Sequence, residues 1–155
     1  MYKLFLTLIA FLFIFQSANA QVYEFQIVTV VESIVPNGIG RSRMITSDEA
    51  RDFNDYSSSR SEKDDKRNKS SREDIRLKNF EETKLLNFFN VAGIRFQNIA
   101  ANDAVVTSKI NEMTQKGWEL TFVNSGVESF AGKGDGNGIY VTRYLFKRIK
   151  IEQGE

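Results

Sequence analysis

The sequence predicts an α+β fold: a small, mainly antiparallel three-stranded sheet in β-α-β-β order, one main helix packed on one face, and a long hairpin-like charged arm. Three observations predict it. Val22–Val31 and Ile139–Arg148 are dense in β-branched and aromatic residues, as strands require. A helical pattern after Asn102 stops at Lys116-Gly117, and Trp118 then opens a further alternating run. Between the first strand and the helix, Ser47–Asn79 carries almost no apolar residues.

The chain opens with Lys3, an apolar run from Leu4 to Phe15, and small residues at Ala18 and Ala20. This order of basic start, apolar centre and small-residue end predicts a signal peptide over residues 1–20, cleaved before Gln21. The run is shorter than the roughly 20 residues a membrane span needs, so no transmembrane segment is expected after cleavage. The protein is therefore expected outside the cytoplasm, periplasmic or secreted.

Residues 21–149 read as a single domain. In the first strand Tyr23, Phe25 and Ile27 alternate with Glu24 and Gln26, and Val28 and Val30 fall on the face opposite Phe25 and Ile27. Pro36, Asn37 and Gly38 predict a turn, and Arg41 to Ile45 a short extended segment. Ser47–Asn79 holds nine basic, nine acidic and seven serine residues among its 33. Such a composition buries too little apolar surface to offset its ordering entropy, so a mobile charged insertion is expected over 47–79. Apolar residues return from Phe80, and a short strand or helical turn over Thr83–Asn90 is expected to close the arm. Asn102 suits a helix N-cap, with Val106, Ile110 and Met113 at i, i+4 and i+7. Gly117 suits a left-handed stop. Trp118, Leu120 and Phe122 then share one strand face, Trp118 being expected in the core. A glycine-rich loop, Gly132 to Gly138, leads to the last strand, and residues 150–155 are polar enough to fray.

Composition narrows the function classes. Without Lys3 the mature chain has 20 basic and 20 acidic residues, so its net charge is zero. The basic excess that phosphate recognition requires is missing, and no nucleic-acid partner is expected. Neither histidine nor cysteine occurs. Disulfides, His- or Cys-based zinc sites, and Ser/His/Asp or Cys/His nucleophile pairs are excluded. No cofactor or metal motif is present, and an enzyme is the less expected class.

The run Ile110 to Leu120, ending Gly117-Trp118-Glu119-Leu120, and the later Tyr144-Leu145-Phe146-Lys147-Arg148 resemble the domain-of-unknown-function 4177 family of bacteria. The counterpart of its first strand is Tyr23, Phe25, Ile27 and Val28, and the Pro36 to Ile99 arm departs from its compact pattern. The resemblance implies a small sheet with one helix and supplies no activity.

Candidate chemistry is sparse. The glycine-rich loop lacks the phosphate-binding spacings, and Asp135 and Asn137 lack the acidic ligands that complete a calcium loop. Arg41 and Arg43, beside Gly38 and Gly40, are the candidate ligand-binding residues, suited to carboxylate, phosphate or anionic glycan. Glu32 and Glu128, each in a Val-Glu-Ser triplet after a strand, would form an acidic pair if those ends are neighbours. A small carboxylate hydrolase or glycan-binding protein of the cell envelope would use Glu32, Glu128 and Asp135. The preferred expectation is an interaction or assembly module. One helix covers one face of the sheet, yet the last strand carries Ile139, Val141 and Leu145 on one side and Tyr140, Tyr144 and Phe146 on the other. The uncovered face must meet Leu85–Phe96, a second copy or another protein. Tyr140, Tyr144 and Phe146 are the candidate partner-binding residues.

Overall fold

The computed structural model describes residues 21–33, 42–63, 65–90, 92–128 and 138–150. Residues 1–20, where a signal peptide is expected, Arg41, Asp135 with most of the glycine-rich loop, and the tail beyond Lys150 lie outside them. Two compact units are distinguished. In the first, the described residues 21–24 and 149–150 are joined by the Lys150 N–H, which donates to the Val22 carbonyl at 2.9 Å. The second, Phe25–Arg148, carries the helix and the body of the sheet.

The sheet has five antiparallel strands, not three. β1 (Tyr23–Ser33), β2 (Arg43–Thr46), β5 (Glu81–Lys84), β8 (Glu119–Val127) and β9 (Ile139–Ile149) stand in the order β5-β2-β1-β9-β8. Broadly the fold remains α+β, but the three-stranded β-α-β-β plan is overturned by β2 and β5. The sequence predicts Arg41 to Ile45 as a short extended segment and Thr83–Asn90 as a strand or helical turn closing the hairpin-like arm, without placing either in the sheet. β2 joins because Met44 and Thr46 turn inward, with Met44 facing Val30 and Thr46 facing Val28 across the β1 ladder. β5 is exposed along its whole length and carries three charges in four residues, so no buried face marks it as a strand. Backbone pairing with β2, from Arg43↔Lys84 to Thr46↔Glu81, is what makes it one.

The helices are α1 (Arg72–Ile75) and the long α2 (Phe96–Gln115). α2 begins six residues before Asn102, with Arg95 at its N-cap and no side-chain cap. Asn102 is buried in mid-helix, where it bonds sideways rather than capping. The other end is as expected. Gly117 takes φ +81°, its N–H donates to Thr114 and the Trp118 N–H to Met113, both at 3.0 Å, which is the Schellman pattern. The chain reverses within two residues and drives Trp118 into the core.

That core lies between α2 and one face of the sheet. Val28, Val30, Met44, Leu85, Met113, Trp118 and Phe146 are buried there, with Val105, Val106, Ile110, Leu120 and Tyr144 packed against them. The Arg148 guanidinium stacks 4.3 Å from the Trp118 ring centroid. Leu85 enters on the helix side, so the segment after β5 adds to this core and, among the described residues, does not cover the opposite sheet face.

Within 47–79 the elements are small and bury nothing. A 3-10 turn, Phe53–Tyr56, is capped by Asp52, and α1 has a capping box between Ser71 and Asp74. β3 (Ser59–Arg60) pairs with β4 (Asp65–Lys66). The Tyr56 hydroxyl donates to the Asp74 carbonyl at 3.0 Å, and the Asn68 amide to the Asp55 carbonyl at 2.6 Å. Side-chain bonds to backbone hold these turns in place of apolar packing. β6 (Phe89–Asn90) and β7 (Gly93–Ile94) form a second small ladder before α2.

Because Phe146 is 0 % exposed, Phe146→Ala is expected to cost about 3–5 kcal/mol in denaturant unfolding. Phe53→Ala, on the exposed 3-10 turn, is expected to cost less than about 1 kcal/mol.

Candidate functional site

The ends of β1 and β2 meet α2 through a polar cluster. The Asn102 carboxamide accepts from the Leu86 N–H and donates to the Leu86 carbonyl, both at 2.8 Å, as a neighbouring strand would. The same amide nitrogen reaches Glu32 Oε1 at 2.8 Å. Beside it the Ser42 hydroxyl accepts from the Ser33 N–H at 3.0 Å and donates to Asn87 Oδ1 at 2.9 Å. Asn98 donates to the Asn87 carbonyl at 2.8 Å. Four chain segments are thus tied together by side chains that pair with the backbone of Ser33, Leu86 and Asn87.

Burial pushes the half-buried Glu32 carboxyl above its ordinary range; the Asn102 bond opposes this and the Asp103 charge adds to it. Burial also raises the Tyr144 hydroxyl, reinforced by Glu32 and Asp103. A carboxyl with a raised pKa can serve as an acid or base, but here its bonded neighbour is an amide. Among the described residues the buried Ser33 hydroxyl has no hydrogen-bond partner and Ser42 donates to an amide oxygen, so no base among them activates either.

The residues expected to carry function are dispersed. Glu32 lies on the helix face, whereas Glu128 follows β8, its N–H donating to the Ile139 carbonyl at 3.0 Å, and lines the opposite face with Val141 and Arg143. The two do not form an acidic pair. Arg43 is ion-paired with Glu82 through Nε, and its Nη1 donates to the Ser42 carbonyl at 2.8 Å. Its charge is matched within the sheet, which weighs against an anion site. Among the candidate partner residues, Phe146 is sealed in the core and Tyr144 packs against that core, which corrects the choice of these two as partner contacts, whereas Tyr140, opposite Val127, is exposed. Among the described residues no group of three or more metal-ligating side chains occurs, and no helix is long and apolar enough to cross a membrane.

The open face of the sheet is the other one. Phe25 is 60 % exposed and Ile27 49 % on β1, with Val141 and Leu145 half-buried on β9 and Ile45 on β2. Phe122, on β8, is 66 % exposed and belongs to this face through a β-bulge. Leu120 faces Phe146 on the core side, but Phe122 faces Leu145, so Thr121 is the extra residue and the alternation flips there. Strict alternation had placed Phe122 with Leu120 and Trp118, and this is why it was missed as a surface group. Phe25 and Ile27 carried the signal in the sequence, lying opposite Val28 and Val30.

Compared with protein-family models, characterised proteins and solved structures, the chain matches none.

A raised Glu32 pKa means the folded state holds this proton more tightly than the unfolded state. Its stabilising contribution is full below the ordinary value of 4.5 and is lost as pH rises through the folded value. Glu32→Gln keeps an oxygen for Asn102 and removes the charge. Its stability relative to wild type is expected to increase as pH rises from 4.5 toward neutrality, measured by urea unfolding at each pH. A difference independent of pH would contradict the assignment.

Proposed function

We propose that this chain is an exported, non-enzymatic interaction module that docks against a protein surface through the outer face of its sheet. The observation that carries this reading is the bare row of Phe25, Ile27 and Phe122 on the side away from α2. A contiguous apolar sheet face is uncommon on a soluble monomer and marks a contact surface. Full burial of each such side chain contributes about 1.5–3 kcal/mol, so a few of them can outweigh much of the cost of association. The signal-like segment 1–20 supports export, and the zero net charge of the mature chain sets up no long-range repulsion between copies.

The resemblance to the domain-of-unknown-function 4177 family, on residues 110–120 and 144–148, agrees with a module built of one helix on a sheet and adds no chemistry. A hydrolase reading would need Glu32 and Glu128 to converge, and they occupy opposite faces. The docking reading needs no catalytic group.

Ile27→Glu places a charge on this face without touching the core. It is expected to lower the native mass in light scattering while leaving the far-UV circular dichroism unchanged. Equal native masses for variant and wild type would contradict docking of one copy on another through this face.

A further inference from the structure

The two edges of the sheet are unlike. β5 presents Glu81, Glu82 and Lys84, a charged edge of the kind that resists pairing. β8 is longer, and from Leu120 to Val127 it carries no charge and no proline. From Phe122 onward it is exposed on both of its sides: Phe122 projects on the outer face, Val123 and Val127 on the other, where α2 no longer covers the strand. Among the described residues no strand pairs with the outer side of β8, so this uncharged edge offers its backbone groups to another strand.

β8 also carries its own complement. Gly126 leaves a gap beside Val141, its cross-strand neighbour, and a Cβ built there would meet nothing within 4 Å. Around it Asn124, Val141, Arg143 and Glu128 line a shallow depression of about 250 Å³ on the outer face. Phe122 lies four residues away on the same face, with Asn124 midway. In an antiparallel pair of identical strands centred on Asn124, Phe122 of each copy faces Gly126 of the other. An aromatic ring covering a strand glycine is a known stabilising pair. Val123 then faces Ser125 on the opposite side, and from Phe122 to Gly126 residues of like facing meet, as the pleat requires.

We propose that two copies of this chain pair through β8, antiparallel about a two-fold axis at Asn124, each lodging Phe122 over the other's Gly126. The sheet then runs on through both copies, and the outer apolar face becomes continuous across the axis. This deepens the docking reading and rests on it for the identity of the protein as an assembly module. It names a second copy as the partner and a strand edge as the contact. Such an interface is isologous and closed, so it yields a dimer rather than a fibre.

The absence of cysteine makes a clean test possible. In the protein expressed from its full sequence, Asn124→Cys supplies one thiol per chain, placed on the axis. Directly opposed antiparallel residues have Cα atoms about 4.5–5.5 Å apart, within disulfide reach, whereas stacked sheets stand about 10 Å apart. Under mild oxidation Asn124→Cys is expected to give a covalent dimer on a non-reducing gel, and Glu119→Cys, remote from the axis, is expected to give none. Adding Gly126→Lys, which the open space around Gly126 accommodates, is expected to abolish the Asn124→Cys dimer with the circular dichroism unchanged. A single-chain band for Asn124→Cys, or a dimer insensitive to Gly126→Lys, would overturn the proposal. If Asn124→Cys stays single while Ile27→Glu lowers the native mass, edge pairing fails and face docking stands; cross-linking with no effect of Ile27→Glu is the reverse.

Discussion

A single long helix has one side of a five-stranded sheet to cover, and the architecture follows from that restriction. α2 lays Val106, Ile110 and Met113 over Val28, Val30, Met44 and Phe146, and the hydrophobic core is confined to that layer. Nothing equivalent lies on the other side among the described residues. The sheet nonetheless keeps apolar groups there, with Phe25, Ile27 and Phe122 the most open. A sheet with only one wet face alternates cleanly between apolar and polar residues. These strands do not, and the departure is what gives the outer face its meaning.

Two local devices shape that face. The Gly117 stop turns the chain sharply enough to bury Trp118 at the start of the return strand. Immediately after Leu120, the bulge at Thr121 then reverses the facing of the rest of β8 and brings Phe122 outward beside Leu145. Without the bulge Phe122 would point toward the helix layer and the outer face would lose its most exposed ring. Bulges commonly sit where a strand re-aims a side chain, and here the re-aimed residue is apolar and solvent-facing. The polar cluster at the other end of the sheet does a different job. Asn102 replaces a missing strand neighbour for Leu86, so the long excursion through 47–79 returns to the core at a defined point.

Legibility in the sequence followed the range of the interaction. β1, β9 and the Lys116-Gly117-Trp118 helix stop were readable because alternation and left-handed backbone chemistry are local. β5 was not readable as a sheet member, since Glu81–Lys84 has no buried face and gains its identity from Arg43–Thr46, about 40 residues away in the chain. Asn102 was taken for a cap because asparagine favours caps. Its true partners, Glu32 and Leu86, are separated from it by 70 and 16 residues. The uncovered sheet face was foreseen from two-sided apolar strands, but the residues chosen for it were on the wrong side. Strict period-two reading of Trp118, Leu120 and Phe122 could not register an inserted residue.

The central claim, that the outer face is covered by protein in solution, is most directly tested by hydroxyl-radical labelling of Phe25, Ile27 and Phe122 as protein concentration is raised. Labelling of these three is predicted to fall with concentration while that of Phe53, exposed on the arm, stays constant. High labelling of all four at every concentration would contradict it.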